Sequence, residues 1–357
     1  MKIGIIGTTL SGSNFLSQWI ERNPNMTVCQ NPLDADLVVS VNSRQPFQPN
    51  TYTVPTIIPS QSNAMLEWDR VQTKTMFQEL GIPTPGFKVF DLPQLLEHFY
   101  SFPQPFVVKF NRDNKFGMQT IIVDKDNYDW AYEYIKSSTW TCKHLFPNAE
   151  RNFLIEEYIP ADREYSYHAL FGQQNWQYLG SARDYKRRLN NDLGENTPGM
   201  GAYFTNDIDA VVHEYADKIY HYLQKTDPYI GFMFLGILVS QGVPYVLEIN
   251  IRSGDPEIQT IVPTIDNDLA ELLYLTATGK EIPNIIHNNM KPVAISLWGE
   301  GVLDTIPMDI VYSQCKENAP YRGTVTAIKE SVEESRNVLY TYLAGSGFTY
   351  RTDIGLF

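Results

Sequence analysis

With 357 residues the chain is long enough to bury a substantial core and to form two or three domains. Hydrophobic residues make up 43% and charged residues 19%, an ordinary globular composition that excludes a disordered tail. A net charge of -13 opposes non-specific adhesion to nucleic acid or anionic membranes, yet a local basic patch can still hold a small phosphorylated ligand.

Residues 3–7 are an apolar run too short for a signal-peptide core, with no cleavage pattern after it, and they read as a first strand. The turn Thr8-Thr9-Leu10-Ser11-Gly12-Ser13 and a helical stretch over residues 15–20 complete a βα unit. That turn could cradle a phosphate at the helix terminus. Gly7 and Gly12 do not make G-x-G-x-x-G, so a simple tight turn stands as the other reading. Residues 36–41 add a strand, giving a short parallel α/β domain over residues 1–60. A Pro/Asn/Gln/Thr-rich connection, residues 45–59, closes it.

Apolar spacing over residues 65–80 predicts one helix carrying Arg70 and Lys74, ended by Gly81-Ile82-Pro83. Residues 106–109 and 120–123 read as strands around a basic, flexible turn with Lys115 and Gly117. Residues 153–159 form a strand bearing Glu156 and Glu157, and residues 165–170 one that pairs near it. Residues 183–203 show no periodicity, and loops this long inside a compact domain are usually functional. Helical spacing returns over residues 208–223. Residues 232–240, the turn Gln241-Gly242 and residues 243–251 make a hairpin. These elements place a nucleotide-binding region at 61–285, with a mobile lid near 103–160. Beyond it, residues 286–357 form a small α/β cap with apolar runs at 293–297 and 324–328 and a helix near 332–343. In this cap Arg351 and Asp353 are expected to pair structurally.

No stretch approaches the ~20 consecutive apolar residues that cross a bilayer, so no membrane role is expected. Cys29, Cys142 and Cys315 lack C-x-x-C spacing and suit free thiols in a reducing cytoplasm. The six histidines form no zinc pattern, and none is given a role.

The chemistry concentrates at residues 246–259. Strand alternation sends Glu248, Asn250 and Arg252 out of one face. Glu248 and Asn250 offer the hard oxygens that Mg2+ (or Mn2+) takes beside a nucleotide phosphate, and Arg252 can grip a carboxylate or phosphate with two parallel hydrogen bonds. An exposed strand face with three ordinary polar residues is the alternative. Gly254 and Pro256 then enforce a turn flanked by Asp255 and Glu257. Upstream, Lys109 and Lys115 can neutralise triphosphate oxygens, the backbone of Glu157, Tyr158 and Ile159 can meet an adenine edge, and Glu164 can accept from ribose hydroxyls. Each signal is weak alone; their order makes one ATP site.

That order resembles the ATP-grasp ligases, in detail the phosphoribosylamine-glycine ligase (glycinamide ribonucleotide synthetase) family. Asp184-Tyr185-Lys186-Arg187 is similar to its D-H-K-R segment, and Asn196-Thr197-Pro198-Gly199-Met200-Gly201-Ala202-Tyr203 to its N-T-G-G-M-G-A-Y loop. Leu247-Glu248-Ile249-Asn250-Ile251-Arg252-Ser253-Gly254-Asp255-Pro256-Glu257-Ile258-Gln259 resembles L-E-F-N-V-R-F-G-D-P-E-x-Q, the most specific match. Ala64-Met65-Leu66-Glu67, Gly81-Ile82-Pro83-Thr84 and Tyr350-Arg351-Thr352-Asp353-Ile354-Gly355 extend the likeness.

The resemblance implies an ATP-grasp fold, α/β in class, and a reaction in which ATP phosphorylates the carboxylate of glycine and an amine, phosphoribosylamine in this family, displaces phosphate. It makes Glu248 and Asn250 metal ligands, and assigns Lys74, Lys109, Lys115, Glu156, Glu157, Tyr158, Ile159 and Glu164 to ATP. Arg252, Lys109, Asp184 and Lys186 would be the catalytic residues, with Arg252 meeting the carboxylate or the transferring phosphoryl group. Asp184, Lys186, Asn196, Thr197, Gly199, Met200, Gly201, Gly254 and Asp255 would serve the substrates. The implied molecule is a monomer or homodimer acting on small molecules.

The departures lie on the acceptor side. The family's G-S-G-G-R-E-H-A loop is Gly7-Thr8-Thr9-Leu10-Ser11-Gly12-Ser13-Asn14 here, Pro198 replaces a glycine, and Tyr185 a histidine. A ligase for another amine or amino acid, and a non-catalytic nucleotide binder, are the alternative readings.

Overall fold

The computed structural model describes residues 1–7, 11–41, 43, 51–111, 120–137, 152–315 and 320–356. An apolar run that is buried on both faces starts the fold: β1 (Lys2–Ile6) leads to α1 (Ser11–Ile20), and β2 (Thr27–Cys29), β3 (Leu37–Ser40) and β4 (Thr56–Ile57) follow. They form a parallel sheet of order β2-β1-β3-β4. Every residue of β3 is buried, as parallel strands covered by helices require. Phe15, Leu16 and Ile20 of α1 join Ile3, Ile5 and Leu37 in one core.

The single helix expected over residues 65–80 is two, α2 (Gln61–Trp68) and α3 (Arg70–Glu79). Asp69 breaks it: its backbone is extended at φ -105° and ψ 90°, and its carboxylate accepts the Gln72 N–H at 3.1 Å. An aspartate satisfying a free N–H at a helix start restarts the helix there.

Next come β5 (Phe87–Asp91), α4 (Leu92–His98), β6 (Phe106–Phe110), β7 (Thr120–Val123), α5 (Tyr128–Ser137) and β8 (Asn152–Glu157). They build an antiparallel sheet of order β5-β8-β6-β7 around Leu95, Phe99, Val108, Phe110 and Phe153. β8 therefore pairs with β5 and β6 and not with β9 (Arg163–Phe171), which belongs to another sheet. Pro160, with no N–H to continue a ladder, stands between the two strands.

β9 is followed by β10 (Trp176–Asp184), β11 (Arg187–Leu189), β12 (Leu193–Asn196), β13 (Gly201–Thr205), α6 (Val211–Thr226), β14 (Gly231–Ser240) and β15 (Val243–Asn250). The segment 183–203, expected to be irregular, contains the β11–β12 hairpin; strands of three and four residues are too short to display a period. After α7 (Ile258–Ile261) and α8 (Leu269–Ala277), β16 (Val293–Trp298), β17 (Ile310–Gln314), β18 (Tyr321–Ala327) and α9 (Val332–Leu343) complete the chain. The large sheet runs β15-β14-β9-β10-β13-β16-β18-β17.

The chain divides into two compact units. The first comprises Met1–Ala64, Glu164–Gly236 and Asn250–Phe357, and the second Met65–Arg163 and Ile237–Ile249. Among the described residues no helix is long and apolar enough to cross a membrane.

Candidate functional site

In the second unit, α3 presents Lys74, β6 Lys109 and β8 Glu156, all three buried. Glu156 Oε1 lies 3.0 Å from Lys74 Nζ, and its Oε2 lies 3.0 Å from Lys109 Nζ. Two ammonium groups thus converge on one carboxylate in a nearly water-free place. Burial, and then the charge of Lys109, pulls Lys74 down to about 7. Burial pushes the Glu156 carboxyl up, but Lys109 and Lys74 outweigh it and hold the group below the usual carboxylate range. Lys74 also donates to Thr84 Oγ1 at 2.7 Å, Thr84 donates to the Val246 carbonyl at 2.8 Å, and Lys109 donates to that of Leu247 at 3.4 Å. These bonds tether both lysines to the strand carrying Glu248, whose charge reaches Lys74.

Strand alternation separates the two adjacent glutamates. Glu156 points inward, whereas Glu157 is exposed and accepts the Gly86 N–H at 2.8 Å. Tyr158 is exposed and Ile159 half-buried beyond the end of β8. Lys115 lies outside the described residues.

In the first unit, Asn250 is buried and its Oδ1 accepts from Arg252 Nη2 at 3.1 Å. Arg252 also donates to the Ser253 carbonyl at 3.1 Å, and its guanidinium lies 5.3 Å from the centre of the Phe234 ring. Glu248 and Asn250, two apart on β15, share a strand face. This donor set, one carboxylate and one amide oxygen, suits a hard cation that completes its shell with phosphates and water.

A second group lies at the end of β10. The Lys186 ammonium contacts the Asp184 carboxylate and lies 3.4 Å from Glu257 Oε1. Glu257 Oε2 is buried and has no hydrogen-bond partner among the described residues. Burial pushes the Asp184 carboxyl up. Beside them stands His168, stacked on Phe234 at 4.9 Å. Its Nε2 lies 3.0 Å from Ser166 Oγ, whose hydroxyl donates to the Ala182 carbonyl, so Nε2 carries the proton. Burial lowers this imidazole to about 3, keeping it neutral. Motif spacing could not find His168; only its place two and four residues after Ser166 and Glu164 puts it on their face of β9.

Glu164 is exposed at the start of β9. Asn196 ends β12 opposite Arg187, and Thr197 donates its N–H to the Lys186 carbonyl at 2.6 Å. Met200 is fully buried and its N–H meets the Tyr185 carbonyl at 2.7 Å, with Gly201 opening β13. A Cβ on Gly199 would stand 2.6 Å from Pro256 Cδ, and one on Gly254 2.7 Å from His168 Cε1, so both glycines are needed for room. The Asp255 carboxylate turns to α1, accepting from the Ser11 hydroxyl at 2.6 Å and the Gly12 N–H at 3.1 Å. The helix terminus that the sequence offered as a phosphate cradle is therefore occupied by the protein's own anion.

The family model described as phosphoribosylglycinamide synthetase, ATP-grasp (A) domain, matches residues 69–258, more than half of the chain. The chain belongs to this family. Lys74, Lys109, Glu156, Asp184, Lys186, Glu248, Asn250 and Arg252 all fall within the matched ATP-grasp segment. Phosphoribosylamine–glycine ligase of Chlorobaculum tepidum is 31% identical over 62% of this chain and 53% of its own length. The ligase of Thermotoga maritima is 33% identical over 57% of this chain and 51% of its own. The chain thus spans about half the length of these curated relatives. A crystal structure of the Thermotoga maritima ligase matches at a TM-score of 0.81 and 23% identity, covering 99% of this chain and 100% of that one, which establishes the ATP-grasp fold.

Proposed function

We propose that this ATP-grasp protein is a carboxylate–amine ligase that joins glycine to phosphoribosylamine, converting ATP to ADP and phosphate and yielding glycinamide ribonucleotide. The observation that carries the reading is the convergence of Lys74 and Lys109 on Glu156, 3.0 Å each, tethered to the strand of Glu248. Phosphoryl transfer depends on alignment and charge neutralisation more than on a strong base.

In the first half-reaction a glycine carboxylate oxygen attacks the γ-phosphorus and ADP leaves with the electrons of the broken bond. Lys74 and Lys109 neutralise polyphosphate oxygens, Tyr158 and Ile159 supply backbone groups to the base, Glu164 meets the ribose, and Arg252 holds the carboxylate or the moving phosphoryl group. Glu248 and Asn250 would hold magnesium (or manganese), which when bound neutralises phosphate oxygens. In the second half-reaction the amine nitrogen attacks the acyl carbon, phosphate departs, and the nitrogen loses a proton. Asp184 and Lys186 hold the amine, framed by Asn196, Thr197 and the Gly199, Met200 and Gly201 backbone. The free thiol of Cys29 fits a cytoplasmic setting.

The test is purified protein with ATP, Mg2+ and glycine, with and without freshly made phosphoribosylamine, following ADP and amide. Amide forming only with all components is the expected result. Amide from a different amine, and none from phosphoribosylamine, would replace the acceptor; no ADP under any condition would remove the ligase reading.

A further inference from the structure

The turn joining β11 to β12 holds two consecutive non-glycine residues in the left-handed region, Asn191 at φ 57° and Asp192 at φ 53°. Such a pair persists where its surroundings over-determine it. Here the surroundings are three consecutive residues near the C-terminal end of the sequence. Arg351 Nη1 donates to Asp192 Oδ1 at 2.7 Å, the Thr352 N–H to Asn190 Oδ1 at 3.0 Å, and Asp353 Oδ2 accepts the Asn191 N–H at 2.8 Å.

Arg351 is the hub of these contacts. Its side chain is 1% exposed, and Nε and Nη2 grip both oxygens of Asp353 at 2.8 and 2.6 Å. Nη1 also donates to the Arg187 carbonyl at 3.0 Å. The Tyr185 ring lies 4.7 Å from the guanidinium, and its hydroxyl accepts the Gly355 N–H at 3.0 Å. Arg351 thus touches residues on both sides of Lys186. Thr197 fixes the Lys186 carbonyl itself, with its N–H at 2.6 Å and its hydroxyl at 2.9 Å. The backbone of Lys186 is clamped, and its ammonium is delivered to Asp184 and Glu257.

We propose that Arg351, with Thr352 and Asp353, is a clasp that positions Lys186 for the amine acceptor by holding the β11–β12 hairpin. What Lys186 does there rests on the ligase reading above. Arg351 is a positioning residue: its donors are committed to protein oxygens. A lysine cannot replace it, because one ammonium cannot serve a bidentate carboxylate, a second carboxylate and a carbonyl together.

The experiment uses the full chain and the Arg351→Lys and Arg351→Ala variants, with two readouts. Hydroxylamine, a small nucleophile, traps the glycyl phosphate as hydroxamate and reports the first half-reaction; amide from phosphoribosylamine reports both. Arg351→Lys should leave hydroxamate formation within about twofold and lower kcat/KM for phosphoribosylamine by roughly 10- to 100-fold, the cost of a misplaced group. Added guanidinium should partly restore Arg351→Ala. Equal loss in both readouts, or no loss in either, overturns the proposal. Hydrogen exchange at Asn191 and Thr352 decides the clasp separately, since both amides should exchange faster in Arg351→Lys, and unchanged protection would reject it. Wild-type protein without hydroxamate or amide would defeat the ligase reading and leave the exchange result to judge the clasp.

Discussion

Asp255 caps α1 from 243 residues away: its carboxylate accepts the Gly12 N–H at 3.1 Å while its other oxygen takes the Ser11 hydroxyl at 2.6 Å. Gln259 adds a third donor at 2.7 Å, and Ser11 in turn meets Tyr321 and Thr324 at 2.6 and 3.0 Å. The positive end of a helix draws an anion, and here the fold supplies it. Asp255→Ala should lower stability by about 2 to 4 kcal/mol, since a charged acceptor and a helix cap are lost together. Urea unfolding reads this directly; an unchanged midpoint would mean the contact contributes nothing. Asp255→Asn keeps the shape and should cost less.

Glu156→Gln leaves two buried ammonium groups without their carboxylate and should cost about 3 to 5 kcal/mol, as breaking a buried ion pair does. The pH dependence follows from the sign of the shift. The folded carboxyl sits below its unfolded value, so its stabilisation is full above the ordinary carboxylate range and is lost as pH falls through the depressed folded value. Urea midpoints across an acid series should therefore fall more steeply for wild type than for Glu156→Gln. Parallel slopes would count against the assignment.

Lys74 has the opposite character. It is lowered to about 7 in the fold, against about 10 when unfolded, so between these values the unfolded chain binds the extra proton and stability rises with pH. A polyanion placed beside it favours the charged form. ATP binding at pH 8 should accordingly take up a proton, seen by calorimetry as a binding heat that changes with the ionisation enthalpy of the buffer. Lys74→Met should remove that dependence. Identical heats in every buffer for wild type would dispose of the idea.

Glu248→Ala should reduce amide formation by about 100-fold or more, the scale of losing a metal's charge stabilisation, while thermal melting stays near wild type because Glu248 is only half-buried. Undiminished turnover would take Glu248 out of the metal site.

The parts of the fold that followed from local pattern were legible in the sequence. α6, with apolar residues on one stripe, and the β14–β15 hairpin with its Gln241-Gly242 turn stand close to where periodicity placed them. Short strands were not legible: β11 and β12 are too brief to show alternation, and the break between α2 and α3 rests on the Asp69 cap, which apolar spacing does not display. Glu156 and Glu157, alike as neighbours in sequence, take opposite faces of β8 and different partners.

The sequence by itself determined the family, through the run from Leu247 to Gln259, and the kinds of groups available, because residue chemistry and strand period are local properties. Only the tertiary structure decided what those groups meet. Lys74 and Lys109 share Glu156, His168 stands beside Asp184, Arg351 clasps the β11–β12 turn, and the first helix turn receives Asp255. Each of these joins distant segments of the chain, and burial rather than spacing sets its strength, since a charge removed from water must find its partner wherever the fold brings one.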